Sequence, residues 1–443
     1  MPDAAVYQGH AAVRAGILVT GTEVLTGIIS DRNGPWLSEQ LAGLGVDVLG
    51  VLVVGDRPDD LRSGLAYFAA QGVSLIVTSG GLGPTADDLT AEIVAGFCGR
   101  SLELDAGLEG RIAEIVSRLR VRFPGVDPEA LREANRKQAL VPVGASVLEP
   151  VGTAPGLVVP PGDGAVGPTV MVLPGPPGEL KPMWDSAQSV SAFRSAIAGA
   201  PELRREMIRL FGIPEAEISV TLRAAAEAGI DLSALEITTC LRRGEIEVST
   251  RFAPAAAGSY DALRQFILSR HADVAFAPDG ETVDQLVAEA LVADGSSVAV
   301  AESCTGGLLG ARLTERAGSS AYFVGGAVVY SDEAKTSQVG VPAALISSHG
   351  AVSGEVALAL AFGVRERFGA SFGVGVTGIA GPGGGTAEKP VGLVWFAVSS
   401  SDGRSLVRSV KMPGGRAAVR ERSTTVAMHL LLRVLRGEGD APA

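Results

Sequence analysis

Three polar segments in the last third of the sequence carry residue types that could act on a carbonyl carbon. The first, residues 302–307, reads Glu-Ser-Cys-Thr-Gly-Gly and lies between an apolar segment and an amphipathic one. A strand, a tight turn and a helix in this order expose a side chain beside the backbone N–H groups of the helix start. The pattern is compatible with Ser303 as a nucleophile next to an oxyanion hole. An ordinary turn with a capping hydroxyl is the alternative.

The second segment supplies a candidate base. Lys335 lies shortly after Tyr330, which ends the predicted strand Ala327–Tyr330. Withdrawal from water disfavours the charged form of a lysine, and a neutral amine can accept a proton from a serine hydroxyl. Tyr330 could donate a hydrogen bond to the substrate or to the base. A solvated lysine on a first helical turn and a tyrosine packed on the core are the alternatives.

The third segment is rich in glycine. Residues 377–385 read Thr-Gly-Ile-Ala-Gly-Pro-Gly-Gly-Gly and follow the predicted strand Gly373–Thr377. Glycine lets backbone N–H groups approach a phosphate or an oxyanion closely. Open α/β sheets bind ligands at the carboxyl ends of their strands, so this position favours a binding loop over a linker.

A similar arrangement occurs near the N-terminus, where residues 78–90 follow the predicted strand Val73–Thr78. Glycines here permit close approach to an anion, and two adjacent aspartates could hold Mg²⁺ against phosphate oxygens. Acidic residues at a solvated helix start are the alternative. The candidate nucleotide-binding residues are Glu23, Asn33, Gly80, Gly81, Gly83, Thr85, Asp87 and Asp88, with Asp87 and Asp88 as metal ligands.

The elements that position the N-terminal cluster alternate between short apolar runs and amphipathic stretches. Asp59–Gln71 has apolar residues at a helical spacing, and Asp59 or Asp60 could cap it. Such alternation predicts a doubly wound, mainly parallel sheet covered on both faces. Its predicted strands are Ile17–Thr20, Val46–Val54, Val73–Thr78, Leu157–Val159 and Val170–Leu173.

Two further domains follow the proline-rich segment 174–178. We predict domain boundaries at 1–180, 181–278 and 279–443, with a small α+β module in the middle and an α/β domain at the end. The predicted elements of the module are helices Glu202–Phe211, Glu215–Ala228 and Asp261–His271 and strand Glu245–Phe252. Those of the last domain are strands Val298–Ala301, Ala327–Tyr330, Gly373–Thr377 and Leu393–Val398, with helices Thr282–Ala293, Gly307–Arg316, Glu355–Arg367 and Arg416–Arg436.

Charge, cysteine content and apolar run length indicate which kinds of partner the protein binds. The 443 residues carry a net charge of −12 and no basic run, which disfavours nucleic-acid binding. Three widely spaced cysteines make a poor disulfide framework. No apolar run reaches the ~18 residues of a membrane span, and no signal-peptide pattern begins the chain. We expect a cytoplasmic protein that acts on small molecules, without nucleic-acid or membrane partners.

Six segments of the last third, in order, resemble the CinA C-terminal family, which contains nicotinamide mononucleotide deamidases. The resemblance implies a Ser/Lys amidohydrolase that needs no cofactor, with Ser303 and Lys335 as the dyad. Ser320 is a rival nucleophile, and Ser320 and Tyr330 would otherwise assist proton transfer. The resemblance also implies a homodimer. The matching segments are residues 301–307, 318–320, 330–335, 350–353, 377–382 and 389–392.

Substrate contacts are implied by the same resemblance. The segment 414–420 matches a late basic motif of the family, from which Arg416 or Arg420 could form a fork onto the phosphate. A solvated helix face is the alternative. The implied substrate-binding residues are Thr305, Gly306, Gly307, Thr377, Gly378, Gly381, Arg416 and Arg420.

Residues 12–180 resemble the CinA N-terminal domain, which has the molybdopterin-binding fold. This implies either an Mg²⁺-dependent ADP-ribose pyrophosphatase or a module that only binds nucleotide or pterin. Glu149-Pro150 departs from the family pattern, and the middle segment stands where the family has a KH-type module. That segment has no Gly-x-x-Gly loop, so RNA clamping is unsupported. A third hypothesis for the function is a competence-linked scaffold, which the negative net charge disfavours.

Overall fold

The computed structural model describes residues 13–120 and 128–439. They form two compact units. One comprises the chain up to Arg205 together with Phe252–Ala255, and the other comprises Glu206–Arg251 together with the chain from Ala256 onward. Among the described residues, no helix has the length and apolar character needed to cross a membrane.

The first unit is built around a six-stranded sheet in the order β2-β1-β3-β8-β7-β6. The first four strands of this order run parallel, and β7 and β6 are antiparallel additions at one side. A separate antiparallel pair joins β4 and β5. The strands are β1 (Arg14–Thr20), β2 (Asp47–Val54), β3 (Leu75–Ser79), β4 (Leu102–Leu104), β5 (Leu140–Pro142), β6 (Ser146–Leu148), β7 (Gly156–Val159) and β8 (Thr169–Leu173).

Both faces of this sheet are covered, since the side chains of β1 contribute to two separate apolar clusters. Ile17 packs in one with Trp184, and Leu18 packs in the other with Phe68. The doubly wound fold that strand–helix alternation predicted is therefore present. The helices are α1 (Thr22–Leu25), α2 (Asn33–Gly43), α3 (Pro58–Ala70), α4 (Thr90–Phe97), α5 (Ala106–Arg120), α6 (Pro128–Gln138), α7 (Pro177–Ala187) and α8 (Ser191–Ala196).

The second unit begins with a four-stranded sheet in the order β10-β11-β9-β12. Its buried His429–Glu245 contact of 2.7 Å joins β11 to the last helix of the chain, and Phe211 stacks on the same imidazole. Burial lowers the pKa of His429. The elements are β9 (Arg204–Phe211), α9 (Glu215–Glu227), β10 (Leu235–Arg242), β11 (Glu245–Phe252), α10 (Ala257–Arg270) and β12 (Ala275–Ala277).

The rest of the second unit surrounds a five-stranded sheet in the order β14-β13-β15-β16-β17. β14, β13 and β15 are parallel, and β16 and β17 are antiparallel. Apolar clusters cover both faces. The elements are α11 (Val283–Ala293), β13 (Val298–Glu302), α12 (Leu308–Thr314), β14 (Phe323–Val328), α13 (Asp332–Val339), α14 (Ala343–His349), α15 (Gly354–Phe368), β15 (Phe372–Gly378), β16 (Leu393–Ser400), β17 (Ser405–Lys411) and α16 (Arg416–Leu435).

Three local predictions are wrong. Glu202–Phe211 was predicted as a helix, but Arg204–Phe211 is strand β9, in which Ile208 and Leu210 are buried at the two-residue period of a strand. Tyr330 lies beyond its strand, because β14 already ends at Val328. Neither Asp59 nor Asp60 caps α3, because the helix begins at Pro58 and makes no side-chain cap.

Candidate functional site

Loops from neighbouring strands meet at the carboxyl edge of the C-terminal sheet. β13 lies between β14 and β15, with both neighbours parallel to it. The connection after β13 crosses one face of the sheet and the connection after β14 crosses the other, which opens a crevice at this edge. The amide of Ser303 donates to the Val376 carbonyl at 2.9 Å, so the loop after β13 is fixed against β15.

The turn after β13 depends on two glycines and a buried carboxylate. Gly306 and Gly307 have φ values of 59° and 97°, in the left-handed region that other residues rarely adopt. Glu302 accepts hydrogen bonds from the amides of Gly307, Leu309 and Gly310 at 2.7–3.0 Å. These amides were the expected oxyanion hole. That expectation is wrong for them, because Glu302 already uses them to cap α12.

Ser303 and Cys304 are neighbours, and both are buried. Ser303 is 8% exposed. Burial raises the pKa of the Cys304 thiol to about 11. Since the thiolate is the nucleophilic form of cysteine, Cys304 stays protonated and unreactive near pH 7.

Lys335 lies on the first turn of α13 and is withdrawn from water, with 2% of its surface exposed. Its Nζ donates to the carbonyl of Tyr330 at 3.2 Å and lies 3.6 Å from an Asp332 carboxylate oxygen. Val329 donates to the Glu302 carbonyl at 2.8 Å, so the segments carrying Tyr330 and Ser303 leave adjacent strand ends. The lysine amine and Ser303 therefore belong to the same edge of the sheet.

Two arginines of α16 hold the loops of this crevice. Arg416 donates to the Gly381 carbonyl at 2.9 Å and to the Tyr330 hydroxyl at 3.1 Å. Arg420 donates to the carbonyls of Cys304 and Thr305 at 3.1 and 2.9 Å. Arg420 thus clamps the turn after β13. Arg416 is exposed and uses two of its five N–H donors in these contacts, which leaves donors for an anion.

The two candidate threonines do not present their side chains to the crevice. Thr305 is fully buried, and its hydroxyl has no hydrogen-bond partner among the described residues. Thr377 is 1% exposed and donates to the Ala351 carbonyl at 2.7 Å. Gly378 is the last residue of β15, and Gly381 lies in the loop that follows. Because glycine has no side chain, these two residues can contact a ligand only through their backbone.

Ser320 lies at the opposite end of β14 from Lys335. It is exposed in a single 3₁₀ turn, Ser319–Ala321, that precedes the strand. The Tyr322 carbonyl pairs with Val298 at the start of β13, and Val329 pairs with Glu302 at its end. An extended chain from residue 322 to 329 covers roughly 23 Å. One chain therefore brings Ser303 and Lys335 to the same edge but leaves Ser320 at the other.

The N-terminal sheet has a crevice of the same topology, because β1 lies between β2 and β3. Asn33 is 7% exposed, and its side-chain amide donates to Ser79 at 2.9 Å and to the Gly175 carbonyl at 2.6 Å. It thereby joins the segment after β1 to the end of β3 and to the loop after β8. Gly80 has φ 107°, and a Cβ there would lie 2.4 Å from the Thr20 carbonyl oxygen. No other residue type fits this approach.

Both candidate metal ligands converge on one hydroxyl. Thr85 lies 2.5 Å from an Asp87 carboxylate oxygen and 2.6 Å from one of Asp88. The Thr85 hydrogen bond holds the pKa of Asp87 below its usual value. No cluster of three or more potential metal ligands occurs in the part of the chain that the structure describes. Two carboxylates fit Mg²⁺, which binds through one or two of them together with substrate phosphates.

One residue of the N-terminal crevice, Asp56, was not predicted from the sequence. Asp56 follows β2 and accepts hydrogen bonds from Thr20 and Thr22 at 2.8–2.9 Å. Glu179 lies against Gly152, and burial raises the pKa of its carboxyl. An acid directly after an apolar strand was a usable signal for Asp56. Glu23, by contrast, is exposed on α1.

Comparison with known proteins identifies a family domain at each end of the chain. Residues 280–435 match the family model of the CinA C-terminal domain. Residues 16–190 match that of a probable molybdopterin binding domain. A CinA-like protein of Mycolicibacterium vanbaalenii is 57% identical over 428 residues, which cover 97% of this chain and 100% of that protein.

Other relatives are similar over different shares of the chain. A CinA-like protein of Mycobacterium tuberculosis is 54% identical over 97% of this chain and 99% of that protein. The crystal structure of the competence/damage inducible protein CihA of Agrobacterium tumefaciens is 42% identical, covering 35% of this chain and 95% of that chain with a TM-score of 0.33. From the two family matches and the near full-length relatives, we conclude that the chain belongs to the CinA family.

Proposed function

We propose that the C-terminal domain is an amidohydrolase that converts nicotinamide mononucleotide to nicotinate mononucleotide and ammonia. The observation that carries this proposal is the location of Ser303 and the buried Lys335 amine at the ends of adjacent parallel strands. A hydroxyl with a nearby amine base is a known arrangement for nucleophilic attack on an amide.

The proposed chemistry is acyl transfer to Ser303. Its Oγ attacks the carboxamide carbon while the uncharged Lys335 amine takes the hydroxyl proton. Collapse of the tetrahedral intermediate breaks the C–N bond, and the lysine returns the proton to the departing ammonia. Water then attacks the acyl-enzyme, gives a proton to Lys335, and releases nicotinate mononucleotide as Ser303 regains its hydrogen.

The Lys335 side chain is held in one place, because only 2% of its surface is exposed. The Tyr330 carbonyl at 3.2 Å fixes the position of Nζ near the end of β14. The exposed Arg416 is placed to form charge-assisted hydrogen bonds with the substrate phosphate, since it retains free donors. Backbone N–H groups of the loop after β15 are the candidates for oxyanion contacts in place of those used by Glu302.

The direct test is to incubate the full-length protein with nicotinamide mononucleotide and to quantify both products. One ammonia per nicotinate mononucleotide is expected, unchanged by EDTA because no metal takes part. Absence of both products, in a preparation that is folded by circular dichroism, would overturn the proposal.

We infer that the N-terminal domain hydrolyses ADP-ribose in an Mg²⁺-dependent reaction. The convergence of Asp87 and Asp88 on Thr85 supports this activity. These two carboxylates would hold Mg²⁺, which would neutralise charge on the pyrophosphate. The loop with Gly80 and Gly81 would approach the phosphates through its backbone, and Asn33 would keep the loops in register.

Incubation of the protein with ADP-ribose and Mg²⁺ tests this second activity. Formation of AMP and ribose 5-phosphate, abolished by EDTA, is the expected result. Binding of ADP-ribose without AMP formation would show a domain that only binds nucleotide.

A further inference from the structure

Three large aliphatic side chains are exposed together beside the N-terminal crevice. Leu25, Ile28 and Ile29 are 51%, 79% and 54% exposed, and we call these three residues the apolar turn. Single exposed apolar residues are ordinary on a protein surface, whereas contiguous apolar patches often mark binding sites. A group of this kind within five residues is therefore a candidate contact surface.

The backbone of the apolar turn is fixed by its own hydrogen bonds. The Thr26 amide donates to the Thr22 carbonyl at 3.0 Å, and the Ile29 amide donates to the Glu23 carbonyl at 3.1 Å. Between them, Gly27 has φ 76°, in the left-handed region that suits glycine. The chain therefore folds back against α1. A contact surface that is already ordered loses little conformational freedom when a ligand binds.

The apolar turn lies next to the proposed metal site. The Leu25 Cδ2 atom is 3.5 Å from the point where a side chain on Gly55 would begin. Gly55 and Asp87 line one small cavity. Asp56 accepts hydrogen bonds from the Thr22 amide and hydroxyl at 2.8 and 2.9 Å, which holds α1 against this cavity. A ligand with its phosphates at Asp87 therefore has its neighbouring groups within reach of Leu25.

Charge around the apolar turn favours an uncharged ligand group. Residues 24–30 carry no charge, and the charged residues that flank them are the acids Glu23 and Asp31. Acidic flanks disfavour a phosphate or an anionic lipid surface, which basic residues attract. An uncharged aromatic base meets no such repulsion, and its flat faces can pack on aliphatic side chains. In ADP-ribose, adenine is such a group, and one ribose separates it from the pyrophosphate.

We propose that the apolar turn binds the adenine base of the nucleotide, while the phosphates lie on the Asp87 side of Gly55. This inference rests on the ADP-ribose hydrolysis proposed above, and it adds the part of the substrate that the domain recognises. Packing of the base against Leu25 and Ile28 removes apolar surface of both partners from water. A ribose phosphate without a base lacks this contact.

Binding of the two reaction products separates the base contact from the phosphate contact. AMP carries the base and ribose 5-phosphate lacks it, and each is titrated into the full-length protein with Mg²⁺ in a calorimeter. In a Leu25→Ser, Ile28→Ser double variant, we expect the affinity for AMP to fall about tenfold, which corresponds to about 1.4 kcal/mol. The affinity for ribose 5-phosphate should be unchanged.

The matched control is Val166→Ser, at a fully exposed valine in the loop before β8. β3 and β8 are parallel, so this loop lies at the opposite edge of the sheet from the crevice. Its substitution should leave the affinity for AMP at the wild-type value. All three substituted side chains are exposed, so we expect the melting temperature of each variant to stay close to that of the wild type.

An affinity for AMP that is unchanged in the double variant would overturn the proposal, and so would an equal loss for both products. A smaller oligomer in light scattering, with the affinity for AMP unchanged, would show that another copy of the chain covers the apolar turn. That result would overturn the proposal as well.

The same experiment distinguishes this proposal from the proposed hydrolysis. If AMP binding depends on the apolar turn in a protein that forms no AMP from ADP-ribose, the base site is supported and the hydrolytic activity is overturned. If the protein forms AMP but the double variant binds AMP like the wild type, the hydrolysis is supported and the base site is overturned.

Discussion

The two candidate sites of this protein share a topology and differ in how their polar groups are held. Each crevice opens at the carboxyl edge of a sheet whose first strand has parallel neighbours on both sides. In the C-terminal crevice, Lys335 and Glu302 are 2% and 1% exposed and are bonded to backbone groups. In the N-terminal crevice, the Asp87 carboxylate is exposed and bonded to its neighbour Thr85.

This difference matches the chemistry proposed for each site. Attack on an amide needs a base and a nucleophile held in place before the substrate arrives. Pyrophosphate hydrolysis uses a metal ion that binds together with the substrate phosphates. The carboxylates that hold this ion can therefore be exposed to water before the metal and the substrate bind. The same sheet topology is therefore compatible with two kinds of site. In a fixed site the polar groups are held in place before the substrate binds, and in a ligand-completed site the metal arrives with the substrate.

The largest expected loss of activity follows substitution of Lys335, the proposed base of the C-terminal site. Lys335→Met keeps the apolar stem but removes the amine, and we expect ammonia release to fall about 1,000-fold because a general base contributes on this scale. AMP formation from ADP-ribose should be unchanged in the same preparation. A rate within tenfold of wild type would show that Lys335 is not the base.

The reciprocal experiment concerns the ligand-completed site. Asp87→Asn removes one of the two carboxylates, and we expect Mg²⁺-dependent AMP formation to fall about 100-fold. Deamidation measured on the same sample should stay at the wild-type rate. A parallel loss of both activities would contradict two independent sites.

A smaller effect is expected at the phosphate contact. Arg416→Gln removes charge-assisted hydrogen bonds, and we expect the KM for nicotinamide mononucleotide to rise about tenfold with a smaller change in kcat. Arg408→Gln, an exposed arginine on β17, is the matched control and should leave KM unchanged. Equal effects of the two substitutions would indicate a general charge effect rather than a contact.

The smallest expected effect concerns the thiol beside the nucleophile. An ordinary thiol begins to ionise near pH 8–9, whereas burial raises the pKa of Cys304 to about 11. Iodoacetamide at pH 8 should therefore modify the exposed Cys240 first and leave the deamidase rate within about twofold of the untreated protein. Inactivation in step with labelling of Cys304, followed by peptide mass spectrometry, would contradict this.

The loops of both sites could be predicted from the sequence, but the side chains that face each crevice could be predicted only in part. Apolar runs marked the strand ends, so the segments after β13, β14 and β15 were found where polar residues cluster. The burial of Thr305 and Thr377 was not predictable, because both lie close to the carboxyl end of an apolar strand, as Ser303 does. Which of these hydroxyls faces the crevice depends on the turn geometry after each strand.

Three further features were not predicted, for physical reasons. Gly325 and Gly326 interrupt the apolar pattern of β14, so the strand start, and with it the distant location of Ser320, was hidden. Arg204–Phe211 contains good helix formers, but its pairing in the four-stranded sheet overrides that preference. The capping role of Glu302 was also missed, because a carboxylate at the last strand position gives no local sign of three amide partners.

In the proposed mechanism, Ser303 is the group that attacks the carboxamide. The most direct measurement is ammonia release from nicotinamide mononucleotide by Ser303→Ala, with folding checked by circular dichroism. We expect a loss of about 1,000-fold, as for removal of other serine nucleophiles, with AMP formation from ADP-ribose intact. Release at the wild-type rate by Ser303→Ala would contradict it.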